Sequence, residues 1–324
     1  MGLAEDVRHL TDSEQLDRAV TALRSQLAEG NGEAAFILAY WRVEGISIRR
    51  DLDEATALFR RAVELGYEAA RGPLAAMLAH GYGQSRRDWQ GALQQLASYR
   101  EPTATRHARL IDAMQLDPEG NPGRSFSPEI LCRDPLVLVF REFLTRRECK
   151  SLVELASPAL RRSQVVHPQT GQLVDDPIRN SSSAAFTLTE ETPFLHAINR
   201  RIAAASRSRP EQGEPTQVLS YEAGQEYKLH HDALPGEQNQ RIQTFLIYLN
   251  EDYEGGEIHF PTPNLRFRGN TGDALCFSNV SANMQPARNA AHAGLPVVAG
   301  RKIILSKWIR RSPLDLTGPA GLPY

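Results

Sequence analysis

Two histidines and one aspartate in the C-terminal half of the chain have the residue types and spacing of a metal site. His230 and Asp232 are two positions apart, so in an extended strand their side chains leave the same face while His231 points away. A second imidazole from a distant strand, that of His292, would complete a set of two histidines and one carboxylate. Such a set suits Fe(II) and leaves coordination positions open for an organic chelate and dioxygen. The spacing therefore predicts a non-haem iron site.

The sequence around these residues is more specific than a His-x-Asp pair, which also occurs by chance on protein surfaces. The motifs follow one another in a fixed order, and they are 221–232, 241–250, 255–261, 272–274 and 292–297, with Lys302 ten positions after His292. In this order they resemble the 2-oxoglutarate and Fe(II)-dependent dioxygenases, specifically their prolyl 4-hydroxylase-like branch. The resemblance covers roughly residues 125–312. A motif gains weight from its predicted structural context, so we interpret His230, Asp232 and His292 as both metal ligands and catalytic residues.

The resemblance implies a 2-oxoglutarate-dependent dioxygenase similar to procollagen-proline 4-dioxygenase. Such an enzyme hydroxylates an unactivated C–H bond, here expected on a peptidyl proline, and converts 2-oxoglutarate to succinate and CO2. The implied cofactors are Fe2+, 2-oxoglutarate as co-substrate and O2, with ascorbate as a reductant. The implied partner is a protein or peptide substrate.

Lys302 begins a segment whose alternation predicts a strand, with Lys302, Ile304, Ser306 and Trp308 on one face. A lysine that points into a barrel core requires an anion, because an unpaired buried charge is costly. The resemblance implies that this anion is the 5-carboxylate of 2-oxoglutarate and that Tyr221 donates a hydrogen bond to the same co-substrate. The family often has threonine where this chain has Ile258, and we expect Thr244 to supply a hydroxyl instead.

Two arginines are candidate substrate ligands. Arg241 matches an arginine that contacts the target residue in prolyl hydroxylases. Arg179 lies in the polar stretch 167–181, which is rich in turn-forming residues and too long for a simple hairpin connection. We interpret this stretch as a lid that closes over the peptide and excludes water; the alternatives are a solvated arginine and an ordinary mobile loop.

The first hundred residues have the spacing of helices and an internal repeat. Apolar residues recur at helical spacing within 51–66, where Gly66 is placed to end the helix. The recurring positions, at offsets of 35 to 37 residues, are Glu33-Ala34-Ala35 with Glu68-Ala69-Ala70, Gly45 with Gly81, and Asp51 and Ala55 with Asp88 and Ala92. This pattern resembles SEL-type tetratricopeptide-like repeats. Such repeats present a concave surface to a partner or only support the catalytic domain, and the sequence leaves both open.

The predicted fold class is an α+β multidomain protein in which α-helical repeats precede a double-stranded β-helix, or jelly roll. Turn residues cluster at 117–123, and a strand at 136–140 and a capping box from Thr145 to Glu148 follow. A second helix is expected over residues 193–206, and short apolar strands alternate with turns from Val218 to Ile309. We therefore expect a repeat domain at 1–116, a linker at 117–124, the dioxygenase domain at 125–312 and a tail at 313–324.

Composition limits the remaining classes. The 324 residues are 41% hydrophobic and 23% charged with a formal net charge of -2, which suits an ordinary soluble protein and gives no attraction to nucleic acid. Three scattered cysteines favour a reducing compartment rather than a disulfide framework. No long apolar run indicates a membrane span or a secretory leader, so we expect a cytoplasmic protein.

Two other functions remain open at this point. The same chemistry could act on a free amino acid or another small metabolite, because the iron ligands do not distinguish these substrates. An iron- or oxygen-sensing scaffold without turnover, in which the repeats recruit a partner, belongs to a different class. Succinate release would separate an enzyme from such a scaffold.

Overall fold

The structure is a computed structural model that describes residues 13–45, 47–82, 86–166, 173–175, 178–188 and 190–314. Contacts divide these residues into two compact units. The first holds residues 13–123 together with Leu188–Arg200, and the second holds Arg124–Thr187 together with Arg201–Leu314. The assignment of Leu188–Arg200 to the first unit differs from our expectation, which placed this stretch with the catalytic domain.

The N-terminal unit is built from helices. Their bounds are α1 Ser13–Ala28, α2 Gly32–Glu44, α3 Leu52–Glu64, α4 Arg71–His80, α5 Trp89–Ser98 and α6 Pro102–Ala113. Helix α2 packs against α3, and α4 packs against α5. Small residues at the contacts, such as Ala55 and Ala92, are fully buried and let the paired helices approach closely.

The internal repeat predicted from the sequence corresponds to repeated structural roles. Gly45 ends α2 and Gly81 ends α4, each in the left-handed conformation with φ of 69° and 87°. Asp51 and Asp88 each cap the helix that follows, accepting from the backbone N–H of Glu54 and Gly91 at 2.8 Å. The two helical pairs are therefore equivalent units, while the type of repeat stays a prediction.

The C-terminal unit is rich in antiparallel strands. Their bounds are β1 Glu129–Arg133, β2 Leu136–Phe140, β3 Arg161–Arg162, β4 Gln164–Val166, β5 Leu173–Asp175, β6 Ser182–Phe186, β7 Thr216–Glu222, β8 Tyr227–His230, β9 Arg241–Tyr248, β10 Tyr253–Gly255, β11 Ile258–Phe260, β12 Leu265–Phe267, β13 Ala274–Ser278, β14 His292–Gly294 and β15 Val297–Arg310. The strand predicted at 136–140 is β2, in which Val137, Val139 and Phe140 are buried, Leu138 is half-buried and Leu136 is exposed.

The strands form two main sheets that share one core. The larger sheet has the order β1-β2-β13-β9-β15-β7-β6-β3, with β10 paired to β15, and the smaller has the order β12-β11-β14-β8. Apolar side chains from both sheets, including Tyr248, Phe260 and Phe277, form one buried cluster. This arrangement is the predicted jelly-roll architecture, in which inward-facing residues of two sheets make the core.

Two helices accompany these sheets in the sequence, α7 Arg146–Ala156 and α8 Pro193–Ser206, as predicted. Thr145 caps α7 in a capping box with Glu148, and the buried Glu148 carboxylate also binds the guanidinium of Arg201 at 2.7 Å. No helix in the described part of the chain has both the length and the apolar character needed to cross a bilayer.

Candidate active site

The predicted metal ligands come together at one end of two neighbouring strands. His230 ends β8 and lies directly opposite His292, which begins β14. Asp232 follows in the loop after β8 rather than in the strand, and its Oδ1 and Oδ2 lie 3.5 Å from His230 Nε2 and 3.6 Å from His292 Nε2. The three residues each offer one ligand atom, and these atoms lie within 4.8 Å of one another. His231 is exposed, as the spacing predicted.

Backbone carbonyls fix the orientation of both imidazole rings. His230 Nδ1 donates to the carbonyl of Lys228 at 2.7 Å, and His292 Nδ1 donates to the carbonyl of Ala290 at 3.0 Å. A carbonyl only accepts, so each ring carries its proton on Nδ1 and keeps the Nε2 lone pair available. His230 Nε2 is buried and makes no hydrogen bond to a described residue. A buried acceptor without a hydrogen-bond donor is expected of a side chain that binds a metal ion through that atom.

The electrostatics of the three groups also suit a divalent cation. Burial raises the pKa of the Asp232 carboxyl, but the neighbouring His292 and His230 and the Thr244 hydroxyl outweigh it and hold this pKa well below its usual range. Burial lowers the pKa of His292 to about 4, with Asp232 opposing the shift. Near neutral pH the site therefore presents an anionic carboxylate and a neutral His292 imidazole.

Thr244 acts on Asp232 rather than reaching into open space. Its hydroxyl donates to Asp232 Oδ2 at 2.5 Å and accepts from Asn279 Nδ2 at 2.9 Å. The hydroxyl hydrogen is therefore already used, which differs from the co-substrate contact that we expected of Thr244. The sequence did not indicate a role for Asn279, because this residue follows β13 at a position outside any periodic pattern.

Lys302 lies in the same cavity as the metal ligands. The cavity is lined by His230, Asp232, His292 and Thr244, and also by Tyr221, Lys302, Ile304, Ser306 and Trp308. The predicted alternation along β15 is therefore confirmed, because Lys302, Ile304, Ser306 and Trp308 all face this cavity. Lys307, on the other face of β15, donates instead to Thr216 Oγ1 at 3.1 Å.

Lys302 is 2% exposed, yet its ammonium pairs with no described carboxylate. It donates to the carbonyl of Gly256 at 2.6 Å and lies 5.5 Å from the centre of the Tyr221 ring. Burial lowers the pKa of Lys302 to about 7, with Glu257 opposing the shift. Gly256 has a φ of 68°, and a Cβ there would lie 3.1 Å from Lys302 Cδ, so the glycine leaves the room that the lysine occupies.

Arg241 is placed beside the cavity and does not line it. Its guanidinium binds both carboxylate oxygens of Glu214, at 2.6 and 2.8 Å, and its Cζ lies 3.9 Å from the centre of the Trp308 ring. Arg310 binds the same carboxylate. The structure thus connects Arg241 to the cavity through Trp308, a residue that the sequence analysis placed on the cavity face without a role.

Arg179 reaches the site through a second aromatic ring. Its Cζ lies 5.5 Å from the centre of the Tyr227 ring, and that ring stacks on His230 with a centroid distance of 3.6 Å. Tyr227 lines the cavity, a role that its spacing alone did not indicate. Most of the predicted lid, at 167–172 and 176–177, lies outside the described residues.

Comparison with known proteins agrees with this geometry. Residues 216–310, which include all the proposed metal ligands and Lys302, match the 2OG-Fe(II) oxygenase superfamily. The chain is 35% identical over 203 residues to prolyl 4-hydroxylase 1 of Arabidopsis thaliana, covering 57% of this chain and 72% of that protein. It is 34% identical over 228 residues to prolyl 4-hydroxylase 5 of the same organism, covering 63% of this chain and 77% of that protein. A solved structure, the 2OG complex of viral collagen prolyl hydroxylase from Paramecium Bursaria Chlorella virus-1, is similar with a TM-score of 0.44 and 26% identity, covering 56% of this chain and 99% of that chain.

Proposed function

The chain belongs to the 2OG-Fe(II) oxygenase superfamily and is a 2-oxoglutarate-dependent dioxygenase with prolyl 4-hydroxylase relatives, and from this premise we propose that it hydroxylates proline within a polypeptide. The observation that carries the proposal is the cavity that holds a cation site and a buried lysine together. A cavity lined both by candidate cation ligands and by an ammonium suits a small dianion.

His230, Asp232 and His292 are the proposed Fe(II) ligands. The residues present fit this ion, because the cluster offers two imidazole nitrogens and one carboxylate, and His230 Nε2 is buried without another partner among the described residues. 2-Oxoglutarate would chelate Fe(II) held there, and the metal would supply the redox chemistry that activates O2, with succinate and CO2 as co-products. The carbonyls of Lys228 and Ala290 orient the imidazoles, and Thr244 and Asn279 hold the carboxylate.

Lys302 is the proposed counter-ion for the 5-carboxylate of 2-oxoglutarate. A buried ammonium is stabilised by an ion pair with an anion, and no described carboxylate forms such a pair with Lys302. Tyr221 lies opposite Lys302 in the pairing of β7 with β15 and lines the same cavity, so its hydroxyl is the proposed second contact. The apolar side chain of Ile258 lines the same cavity.

Trp308 lines the cavity and is the proposed substrate contact on one side, while Arg241, which lies beside the cavity, is the proposed substrate ligand outside it. An aromatic face packs well against the pyrrolidine ring of proline, and Arg241 and Glu214 hold Trp308 in place. Arg179 and Tyr227 are the proposed contacts near His230. Side chains that position the reacting carbon affect the chemical step as well as affinity.

A free amino acid or another small metabolite remains the alternative substrate, and membership of the dioxygenase family favours turnover over a sensing scaffold. Recruitment of the substrate by the N-terminal helices, ascorbate as a reductant and a cytoplasmic location stay predictions. A surface formed by equivalent helical pairs supports the first of these, because such units extend into binding surfaces.

Mass spectrometry after incubation with Fe(II), 2-oxoglutarate, O2 and ascorbate tests the proposal. We expect proline-containing peptides to gain one oxygen atom on proline, with succinate formed in equal amount, and His292→Ala to abolish both products. Efficient hydroxylation of free proline or another small metabolite, with no peptide modified, would replace the protein-substrate proposal by the alternative.

A further inference from the structure

A second cluster of metal-binding residue types lies in the N-terminal unit. It consists of His80 at the end of α4, Glu191 before α8 and His196 in the first turns of α8. Each residue offers one ligand atom, and these atoms lie within 4.8 Å of one another. All of them belong to the same compact unit, since Leu188–Arg200 groups with the N-terminal helices.

The cluster is arranged around one carboxylate oxygen. Glu191 Oε1 lies 2.8 Å from His196 Nδ1 and 3.4 Å from His80 Nε2. Asn199 Nδ2 donates to the same oxygen at 2.9 Å. The imidazole rings of His80 and His196 have a centroid distance of 3.8 Å, so both rings meet at this oxygen.

The hydrogen bonds of His80 leave its Nε2 without a proton. His80 Nδ1 lies 2.8 Å from the carbonyl of Ala76, and a carbonyl only accepts, so in the neutral ring the proton is on Nδ1. The Nε2 lone pair then faces the lone pairs of Glu191 Oε1. Two facing acceptors repel unless a cation lies between them, and the cation is either a proton on His80 or a metal ion.

Two further observations favour a metal ion. Glu191 forms no salt bridge to a lysine or arginine among the described residues, so this largely buried carboxylate has only imidazoles to offset its charge. His196 is 95% buried, and its Nε2 makes no hydrogen bond to a described residue.

We propose that His80, Glu191 and His196 form a second metal site that binds a divalent first-row cation of the zinc type. Two imidazoles and one carboxylate are a known donor set for Zn2+, and they leave a position for water. The Ala76 carbonyl orients His80, and Asn199 orients Glu191, as outer-shell groups do in metal sites. The site joins α4 to the start of α8, so its role is to stabilise the packing of these distant segments. This inference does not rest on the proposed reaction.

Zinc binding to the full chain tests the site once the first metal cluster is disabled. The background variant is His230→Ala, stripped with a chelator and dialysed against Zn2+ alone, with retained metal measured by elemental analysis. We expect about one equivalent of zinc to be retained and the melting temperature to rise with zinc. Adding Glu191→Gln should reduce retention to near zero, because the amide keeps the acceptor for Asn199 but loses the charge.

Matched controls separate the site from general effects. Adding Glu190→Gln to the same background, at the exposed neighbouring position, should leave zinc retention unchanged. Adding His80→Asn should lose the zinc-dependent rise in melting temperature and the visible absorption of a Co2+ derivative. Circular dichroism identifies any variant that fails to fold. If His80→Asn does not fold, the zinc retention of Glu191→Gln compared with Glu190→Gln decides whether the site exists. Zinc retention below a few tenths of an equivalent in the His230→Ala background, or retention that Glu191→Gln leaves unchanged, overturns the proposal.

Discussion

At the scale of single residues, the cavity contains two groups whose pKa values are both lowered, with opposite effects on charge: the shift favours the charged form of Asp232 and disfavours the charged form of Lys302. Asp232 is held as a carboxylate by the imidazoles and by Thr244, although burial alone would favour its neutral form. Lys302 is held close to losing its charge because burial outweighs the influence of Glu257. The first group is therefore ready for a cation, and the second gains its full charge when an anion enters.

Lys302 should take up a proton when 2-oxoglutarate binds. Its pKa in the folded protein is about 7, against 10.5 for an ordinary lysine, so above pH 7 the empty site holds fewer protons than the bound one. A bound carboxylate favours the ammonium and raises this pKa, so affinity should fall as pH rises through the pKa of the empty site. Calorimetry in buffers of different ionisation enthalpy, about one pH unit above that pKa, measures the uptake.

Two substitutions at Lys302 serve as references. Lys302→Met should lose about 2–5 kcal/mol of 2-oxoglutarate binding together with the proton uptake. Lys302→Arg keeps a permanent charge, so it should show no uptake whatever its affinity. Lys307 is a poor control because it is buried on the other face of β15, and its substitution would disturb folding. Binding without proton uptake in the wild type would show that Lys302 is not the counter-ion.

Thr244 should act on the metal rather than on the co-substrate. Thr244→Val removes the hydrogen bond to Asp232 while keeping the shape of the side chain, so Fe(II) affinity should fall about 10- to 100-fold. Thr244→Ser should retain most of the affinity. Anaerobic Fe(II) titration measures both variants. Unchanged iron affinity with a higher KM for 2-oxoglutarate would instead support the role that the sequence suggested for Thr244.

Local periodicity predicted part of the site and could not have predicted the rest. Spacing of two placed His230 with Asp232, and the alternation along β15 placed Lys302 in the cavity. The stacking of Tyr227 on His230 and the bond from Asn279 to Thr244 depend on which strands become neighbours. Arg241 shows the same limit, because its partner Glu214 lies outside its own strand and only the folded chain brings them together.

At the scale of secondary-structure elements, the ends of helices were predictable because their signals are local. The caps at Asp51 and Thr145 and the glycine at position 66 each depend on residues within a turn of the helix end. Strand pairing was not predictable in this way. The register that sets His230 opposite His292 joins β8 to β14 across many intervening residues, and no local pattern encodes it.

The buried pair between Glu148 and Arg201 should be the most sensitive contact of α7. Both side chains are about 95% buried, and Glu148 also accepts from the backbone N–H of Thr145. Glu148→Ala leaves a buried guanidinium without its partner, so the free energy of unfolding should fall by about 3–5 kcal/mol. Urea denaturation measures the loss. Lys150→Ala, which breaks an exposed pair with Glu154 on the same helix, should change stability by less than about 1 kcal/mol.

At the scale of the whole molecule, the grouping of Leu188–Arg200 with the N-terminal helices changes how domain experiments are designed. The turn-rich sequence at 117–123 marks the point where the chain passes from the first unit to the second. No sequence signal indicates that the chain returns to the first unit at Leu188–Arg200. Within the N-terminal unit the ring of Phe194 stacks on His107 at a centroid distance of 4.6 Å. Removing residues 1–116 would remove His107 and His80, which contact Phe194 and His196. Substitutions in the full chain are therefore better tests of function.

The proposed function requires that the cavity bind Fe(II) and 2-oxoglutarate together. Anaerobic addition of 2-oxoglutarate to the Fe(II)-loaded chain should produce the visible charge-transfer absorption of a chelated 2-oxo acid. His292→Ala should lose this absorption, and His231→Ala, altered at the exposed neighbouring position, should keep it. Absence of the absorption in the wild type, or its full persistence in His292→Ala, would contradict the assignment of the site.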